Sequence, residues 1–291
     1  MSGTLAAPVH PAFAPYRRWL VAGALPELAQ LNAWALDARL ALPDGKPLRF
    51  LHGAPASALA YESAIAHHGI VHVRRGQWHD ALNALVWLAF PKTKAALNAR
   101  HVQDRTSATA NQRSRGRDAA TLLDESGLIL VCGDPDLDRL LRERAWRALF
   151  DDRRSAVMRM MQPYAIGHGM LVKLLAPFRA ITARTLVLAI DPRTLPPGAA
   201  GRARVDAAAA RAIGDRALRP EMLPPLPVAA LPGWDSEALG ARLFDDPRYF
   251  VVDLVGPGER PTRRPAGLAL SPAVGCARFR ADTARATLPG S

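Results

Sequence analysis

Trp78-His79-Asp80-Ala81-Leu82-Asn83-Ala84-Leu85-Val86-Trp87-Leu88-Ala89-Phe90-Pro91-Lys92-Thr93-Lys94 is apolar on nearly every face of a helix. At about 100° per residue, Leu82, Leu85, Leu88 and Ala89 cover one side, and Val86, Trp87 and Phe90 cover much of the other. The pattern predicts a buried helix over Trp78–Phe90. His79, Asp80 and Asn83 nevertheless share one arc of about 100° at its N-terminal end. Burying such groups costs free energy unless something satisfies them. Pro91 starts a second helix, running to about Val102, on which Lys94, Asn98 and His101 fall within about 60° of one face.

Outward from this pair, Pro26–Leu40 reads as a helix and Leu48–Leu51 as a short strand. Ser57–His67 reads as a helix, with Ser57 as cap and Gly69 as stop. Thr106–Gly116 is polar and rich in arginine, the pattern of a loop. Thr121–Val131 is expected to form a β-hairpin turning at Asp124-Glu125-Ser126-Gly127, with Gly127 supplying a positive φ. Asp134-Pro135 marks the start of a helix reaching about Phe150. Further helices are expected over Ser155–Gln162, His168–Leu175 and Ala203–Ala212, with a strand over Thr185–Ile190. Met222–Trp234 is too rich in proline for a regular central element, and Asp235–Phe244 reads as a short helix. The sequence therefore predicts an α+β fold, mainly α-helical with a small β-hairpin or sheet and a Pro-rich C-terminal extension. A single domain over 17–255 follows an extended arm, 1–16, and precedes a disordered tail, 256–291.

The 291 residues are 49% hydrophobic and 22% charged, ordinary values for a globular chain. The net charge is +12, yet only four of the 38 basic residues are lysines. Abundant Arg, Ala, Pro and Gly match GC-rich codons, and the arginines are scattered rather than gathered in one block. Codon bias accounts for much of a charge that would otherwise point to a polyanion. Trp19–Leu36 is interrupted by Pro26, Glu27 and Asn32, and Leu171–Ile190 contains Lys173, Arg179 and Arg184. Neither reads as a membrane span. Cys132 and Cys276 are far apart and fit reduced thiols in a cytoplasmic protein.

The chain has no G-x-G-x-x-G after a strand, no G-x-x-x-x-G-K-[ST] and no G-x-S-x-G, which excludes those phosphate loops and α/β-hydrolase chemistry. It has no H-E-x-x-H and no paired C-x-x-C. The candidate site is a pocket lined by His79, Asp80 and Asn83, with Lys94, Asn98 and His101 as a second wall. Asp118, Asp124 and Glu125 add carboxylates. His168, set between Gly167 and Gly169, adds an imidazole. Histidines can move protons, carboxylates can orient them or hold a divalent metal, and lysine can balance an anion.

The run Tyr61-Glu62, Arg74, Trp78-His79-Asp80, Asn83-Ala84-Leu85, Trp87, Phe90-Pro91, Lys94 and Leu97-Asn98 resembles a mainly proteobacterial family known as a domain of unknown function. Arg117-Asp118-Ala119, Asp124-Glu125, Gly127, Gly167-His168 and Pro232-Gly233-Trp234 extend the resemblance over roughly residues 20–250. The resemblance implies an intracellular protein and no particular chemistry. The chain departs from the family pattern at Leu171 and Val172, where relatives tend to carry an aromatic and a glutamate. That departure removes a possible carboxylate partner of His168.

Three functions compete. An enzyme would use the pocket for acid–base or metal-assisted hydrolysis of an anionic substrate, such as a phosphoester. A nucleic-acid-binding or ribosome-associated module would use Arg113, Arg115, Arg117 and the basic tail. A structural or partner-binding protein would use the polar cluster only to lock helices together.

Overall fold

The computed structural model describes residues 13–16, 24–106, 115–178, 180–215 and 217–232. Its elements follow from local chemistry. Helix α1 spans Leu28–Asp37 and strand β1 spans Arg49–His52. Helix α2, Ala58–His68, starts where the Ser57 hydroxyl accepts from the Ala60 N–H at 3.1 Å, and it stops at Gly69, whose φ is +65°. Strand β2, Ile70–Val73, returns parallel to β1, pairing Arg49 with Ile70 and His52 with Val73. The alternation of Val71, His72 and Val73 marks this strand, which lies outside the elements expected from sequence.

Helix α3, Trp78–Ala89, is buried from Asp80 to Ala89, as its all-round apolar pattern requires. Helix α4, Pro91–Thr106, follows after the single residue Phe90. The start of α4 is capped from far along the chain. The Asp206 carboxylate accepts from the backbone N–H of Lys92 at 3.0 Å and of Thr93 at 2.8 Å. Burial pushes the Asp206 carboxyl up, opposed by its bonds to Thr93 and Lys92.

Helix α5, Arg115–Ser126, runs directly into strand β3, Gly127–Cys132. The expected hairpin is therefore corrected: Thr121-Leu122-Leu123 is the end of a helix, and Asp124 and Glu125 occupy its last turn. Gly127 lacks a positive φ. Its role is steric, since a Cβ there would strike the Leu123 carbonyl. A β-type apolar run cannot by itself distinguish the last turn of a buried helix from a strand.

Helix α6, Pro135–Arg142, has Asp134 as its cap, accepting from Asp136 N–H at 2.9 Å. It ends sooner than expected. Arg144 takes φ +55° and a π turn covers Ala148–Asp152. Helix α7, Arg154–Met160, precedes strand β4, Met161–Ala165, a strand that the sequence reading placed partly in a helix. Helix α8 is His168–Lys173, strand β5 is Thr182–Leu188 and helix α9 is Gly198–Gly214. Strand β6 is Pro225–Pro227.

The larger sheet has the order β4-β3-β5-β6, with β3 antiparallel to β4 and parallel to β5. All six residues of β3 are buried. Proline occurs in both edge strands, at Pro163, Pro225 and Pro227, where a missing N–H is tolerated. The fold is thus α+β and mainly helical. Within the expected extended arm, Ala14–Tyr16 forms a 3₁₀ turn, and Phe13 and Tyr16 are buried. The Tyr16 ring lies 4.8 Å from Trp34. The rest of that arm, the helix expected at Asp235–Phe244 and the tail lie outside the described residues. Among the described residues, no helix is long and apolar enough to cross a membrane.

Helices α4 and α9 pack side by side and hold each other at both ends. Arg100 donates Nε to the Ile213 carbonyl at 3.0 Å and a second guanidinium nitrogen to Asp215 O. Asp206→Ala should cost about 2–3 kcal/mol, because it removes a cap and leaves two donors unmet, the Thr93 N–H of which is buried. Asp206→Asn should cost less, since it keeps one acceptor. Urea denaturation midpoints of the two variants test the order.

Candidate functional site

A cleft of about 430 Å³ opens where the N-terminal end of α3, the C-terminal end of α5 and the start of α8 meet. The opposite wall is the β1–α2 connection and the first turns of α2. A larger cavity, about 490 Å³, lies among Leu36, Leu40, Leu48 and Phe50. Its lining is mainly apolar, whereas titratable side chains converge in the α3–α5–α8 cleft.

Asp80 sits in the first turn of α3 and closes the link from β2. It accepts from the Arg74 backbone N–H at 2.9 Å, from Arg74 Nε at 2.7 Å and from the guanidinium end at 2.8 Å. Burial pushes its carboxyl up, but the combined bonds of Arg74 and His79 win and hold it well below the usual range. His79 Nδ1 lies 3.4 Å from Asp80 Oδ1, and its Nε2 lies 3.7 Å from Glu125 Oε2. Asp80 first, then Glu125, push the His79 imidazole up to about 9 against partial burial.

His168 is only 5% exposed. Its Nδ1 faces Asp124 Oδ1 at 3.7 Å and its Nε2 faces Glu125 Oε1 at 3.6 Å. The buried Nδ1 has no partner within hydrogen-bond distance. The two imidazole rings stand edge to face with centroids 4.4 Å apart. Asp124 is gripped by Lys94, whose side chain is 4% exposed and whose ammonium also lies 5.6 Å from the Trp87 ring centroid. Burial pushes the Asp124 carboxyl up, yet the charges of Lys94 and His168 overcome it and hold it far below the ordinary range. Glu125 is also held low, by His79 above all.

The Gly167-His168-Gly169 sequence has a steric cause. A Cβ at 167 would strike the Ser126–Gly127 backbone, and a Cβ at 169 would occupy the place of Glu125 Oε2. The two glycines let α8 approach the end of α5 closely enough for His168 to meet both carboxylates. Leu171 and Val172 supply His168 with no acid, and Asp124 and Glu125 face it instead.

Six of the expected residues line the cleft: His79, Asp80, Asn83, Asp124, Glu125 and His168. Lys94 and Asn98 stand behind it. Lys94 holds Asp124, and Asn98 Nδ2 donates to Glu62 Oε2 at 2.6 Å and to the Glu62 carbonyl at 3.0 Å. Asn83 Nδ2 donates to the Tyr61 hydroxyl at 2.7 Å. His101 and Asp118 are not part of the lining, which corrects their place in the candidate site. Asp118 is seven residues from Glu125, about 10 Å along the axis of α5, and His101 lies farther along α4 than Lys94 and Asn98, which themselves stand behind the cleft.

Sequence reasoning left Tyr61, Glu62, His72 and Arg74 out of the site. His72 follows from the unread strand β2, and Arg74 from the short loop behind it. Burial pushes the Tyr61 hydroxyl well up, helped by Glu62 and Asp124, so it stays protonated. Of the basic run, Arg113 lies outside the described residues, and Arg115 pairs with Glu221 at 2.6 Å.

Residues 48–253 match the profile of the family described as Protein of unknown function (DUF3025). The chain belongs to this family. The matched span contains every residue of the cleft, from Gly53 to His168. The chain matches no curated protein and no solved structure.

Lys94→Met should cost about 3–5 kcal/mol, because Asp124 is then buried without its cation, and Lys94→Met with Asp124→Leu should recover much of it. The Asp124 carboxyl contributes stability that is complete above its unfolded pKa, about 4, and is lost as pH falls toward its folded value. The loss of stability between pH 5 and 3 should be shallower in Asp124→Asn than in the native chain. Denaturant midpoints across that range measure both effects.

Proposed function

We propose that the cleft is the active site of a hydrolase acting on an anionic ester of the phosphoester class. One observation carries this reading. His79 and His168, each facing through Nδ1 a carboxylate that a cation in turn holds, aim their second nitrogens at Glu125 on the wall of an open cleft. A structural network would be expected to close its hydrogen bonds, and the distances of 3.6 and 3.7 Å leave these unclosed.

The volume suits a small substrate. The half-exposed Arg74 at the cleft offers a positive group to an anion. So does the start of α2, where the first backbone N–H groups after Ser57 lack intrahelical acceptors. In this reading the His79–Glu125–His168 cluster activates the attacking water, and Arg74 with the start of α2 holds the charged group. The reaction is placed in the cytoplasm, in keeping with the buried free thiol of Cys132.

The test is hydrolysis of chromogenic phosphomonoesters and phosphodiesters by the purified full chain, with and without added divalent metal. Turnover should appear with at least one class and fall about 10²-fold or more in His79→Gln and Glu125→Gln, with circular dichroism unchanged. Turnover equal in wild type and variants, or none above background with any ester, would overturn the reading.

A further inference from the structure

We infer that His79 Nε2, His168 Nε2 and the carboxylate of Glu125 form a binding site for one divalent transition-metal ion of the zinc type. The ligand atoms of these three residues lie within 4.8 Å of one another. His79 Nε2 lies 3.7 Å from Oε2 of Glu125 and His168 Nε2 lies 3.6 Å from its Oε1, both too long for hydrogen bonds, so each imidazole faces its own oxygen of one carboxylate. These separations are close to the spacing that an ion imposes: ligand atoms about 2.1 Å from a shared zinc at tetrahedral angles stand roughly 3.4 Å apart.

The surroundings supply what metal-bound histidines need. Each imidazole turns its other nitrogen toward a carboxylate, Asp80 for His79 and Asp124 for His168. Each of those carboxylates is fixed by a cation of its own, Arg74 or Lys94. Carboxylates in this position set the ring orientation and the tautomer of a metal-bound histidine. The buried Nδ1 of His168 faces Asp124 across 3.7 Å.

Charge points the same way. Glu62, Asp80, Asp124 and Glu125 surround the cleft against the two cations Arg74 and Lys94. The four carboxylates outnumber these two cations by two, a difference that one divalent ion balances when it displaces the imidazole protons. Two imidazoles and one carboxylate suit zinc or its neighbours in the first transition row, whereas magnesium and calcium select all-oxygen sites. Three protein ligands beside an open cleft leave a coordination position for water. The site does not depend on the hydrolytic reading.

The full chain, stripped with chelator, is titrated with zinc by calorimetry and with cobalt(II) by visible absorption. One equivalent of zinc should bind. Excess magnesium should not compete. His79→Gln and Glu125→Gln should each weaken binding at least tenfold and change the cobalt spectrum. Gly169→Ala should weaken it as well, because the added methyl takes the place of Glu125 Oε2; it also comes within 3.0 Å of the Glu125 carbonyl, so circular dichroism accompanies this titration. The exposed His67–His68 pair on α2 is the control for adventitious surface binding. His67→Ala with His68→Ala should leave the isotherm unchanged.

Absence of a saturating one-to-one isotherm overturns the site. So does one that His79→Gln and Glu125→Gln leave unchanged, one that the α2 pair abolishes, or one that magnesium displaces. Bound stoichiometric zinc without ester hydrolysis would remove the hydrolase reading and leave the metal site standing. Ester hydrolysis that persists in fully chelated protein without zinc binding would do the reverse.

Discussion

The buried pair of Lys94 and Asp124 is the constraint on which the cleft depends. Neither charge can leave the other without exposing itself to a medium that solvates it poorly, so α4 and the end of α5 are locked in register. That register delivers the next residue, Glu125, to the cleft, and it gives His168 an acid to face. Asp206 anchors the start of α4 only a turn earlier, so Lys94 is fixed from both sides. A polar site is built here inside an oily helical pair because every charge behind it has a counter-charge.

On the other side of the cleft, Arg74 and Asp80 play the same part more loosely. They close the short link from β2 to α3 and turn His79 inward. His79 remains 43% exposed at its side chain and His168 only 6%. The two rings meet although one is half-exposed in the first turn of α3 and the other is buried at the start of α8. The glycines at 167 and 169 make that meeting possible, by letting α8 come nearer to α5 than side chains would allow.

Much of this was legible in the sequence. The all-round apolar pattern of Trp78–Phe90 fixed a buried helix and identified His79, Asp80 and Asn83 as polar groups needing partners. Ser57, Gly69 and Asp134-Pro135 set boundaries because capping is local chemistry. What failed was geometry along an axis. Helical projection gives an angle but not a height, so His101 shared a face with Lys94 while it sat two turns away; Asp118 was grouped with Asp124 and Glu125 through a hairpin that is in fact the helix α5, on which it lies nearly two turns earlier. Thr121–Leu123 misled because a buried helix end and a strand share the same apolar residues. Arg74 was invisible as a partner until β2 was recognised, since its bond to Asp80 depends on the turn between them.

Strand β3 carries a last consequence. It lies between β4 and β5, and every one of its residues is sealed from water. Its amides belong among the slowest to exchange with deuterium, because opening them requires the whole sheet to part. Glu125 is two residues from that strand, while Arg74 lies on the short link from β2 to α3 and His79 in the first turn of α3. Links and helix ends open more readily than a central strand, so exchange should reach the Arg74–His79 lip of the cleft before its Glu125 side.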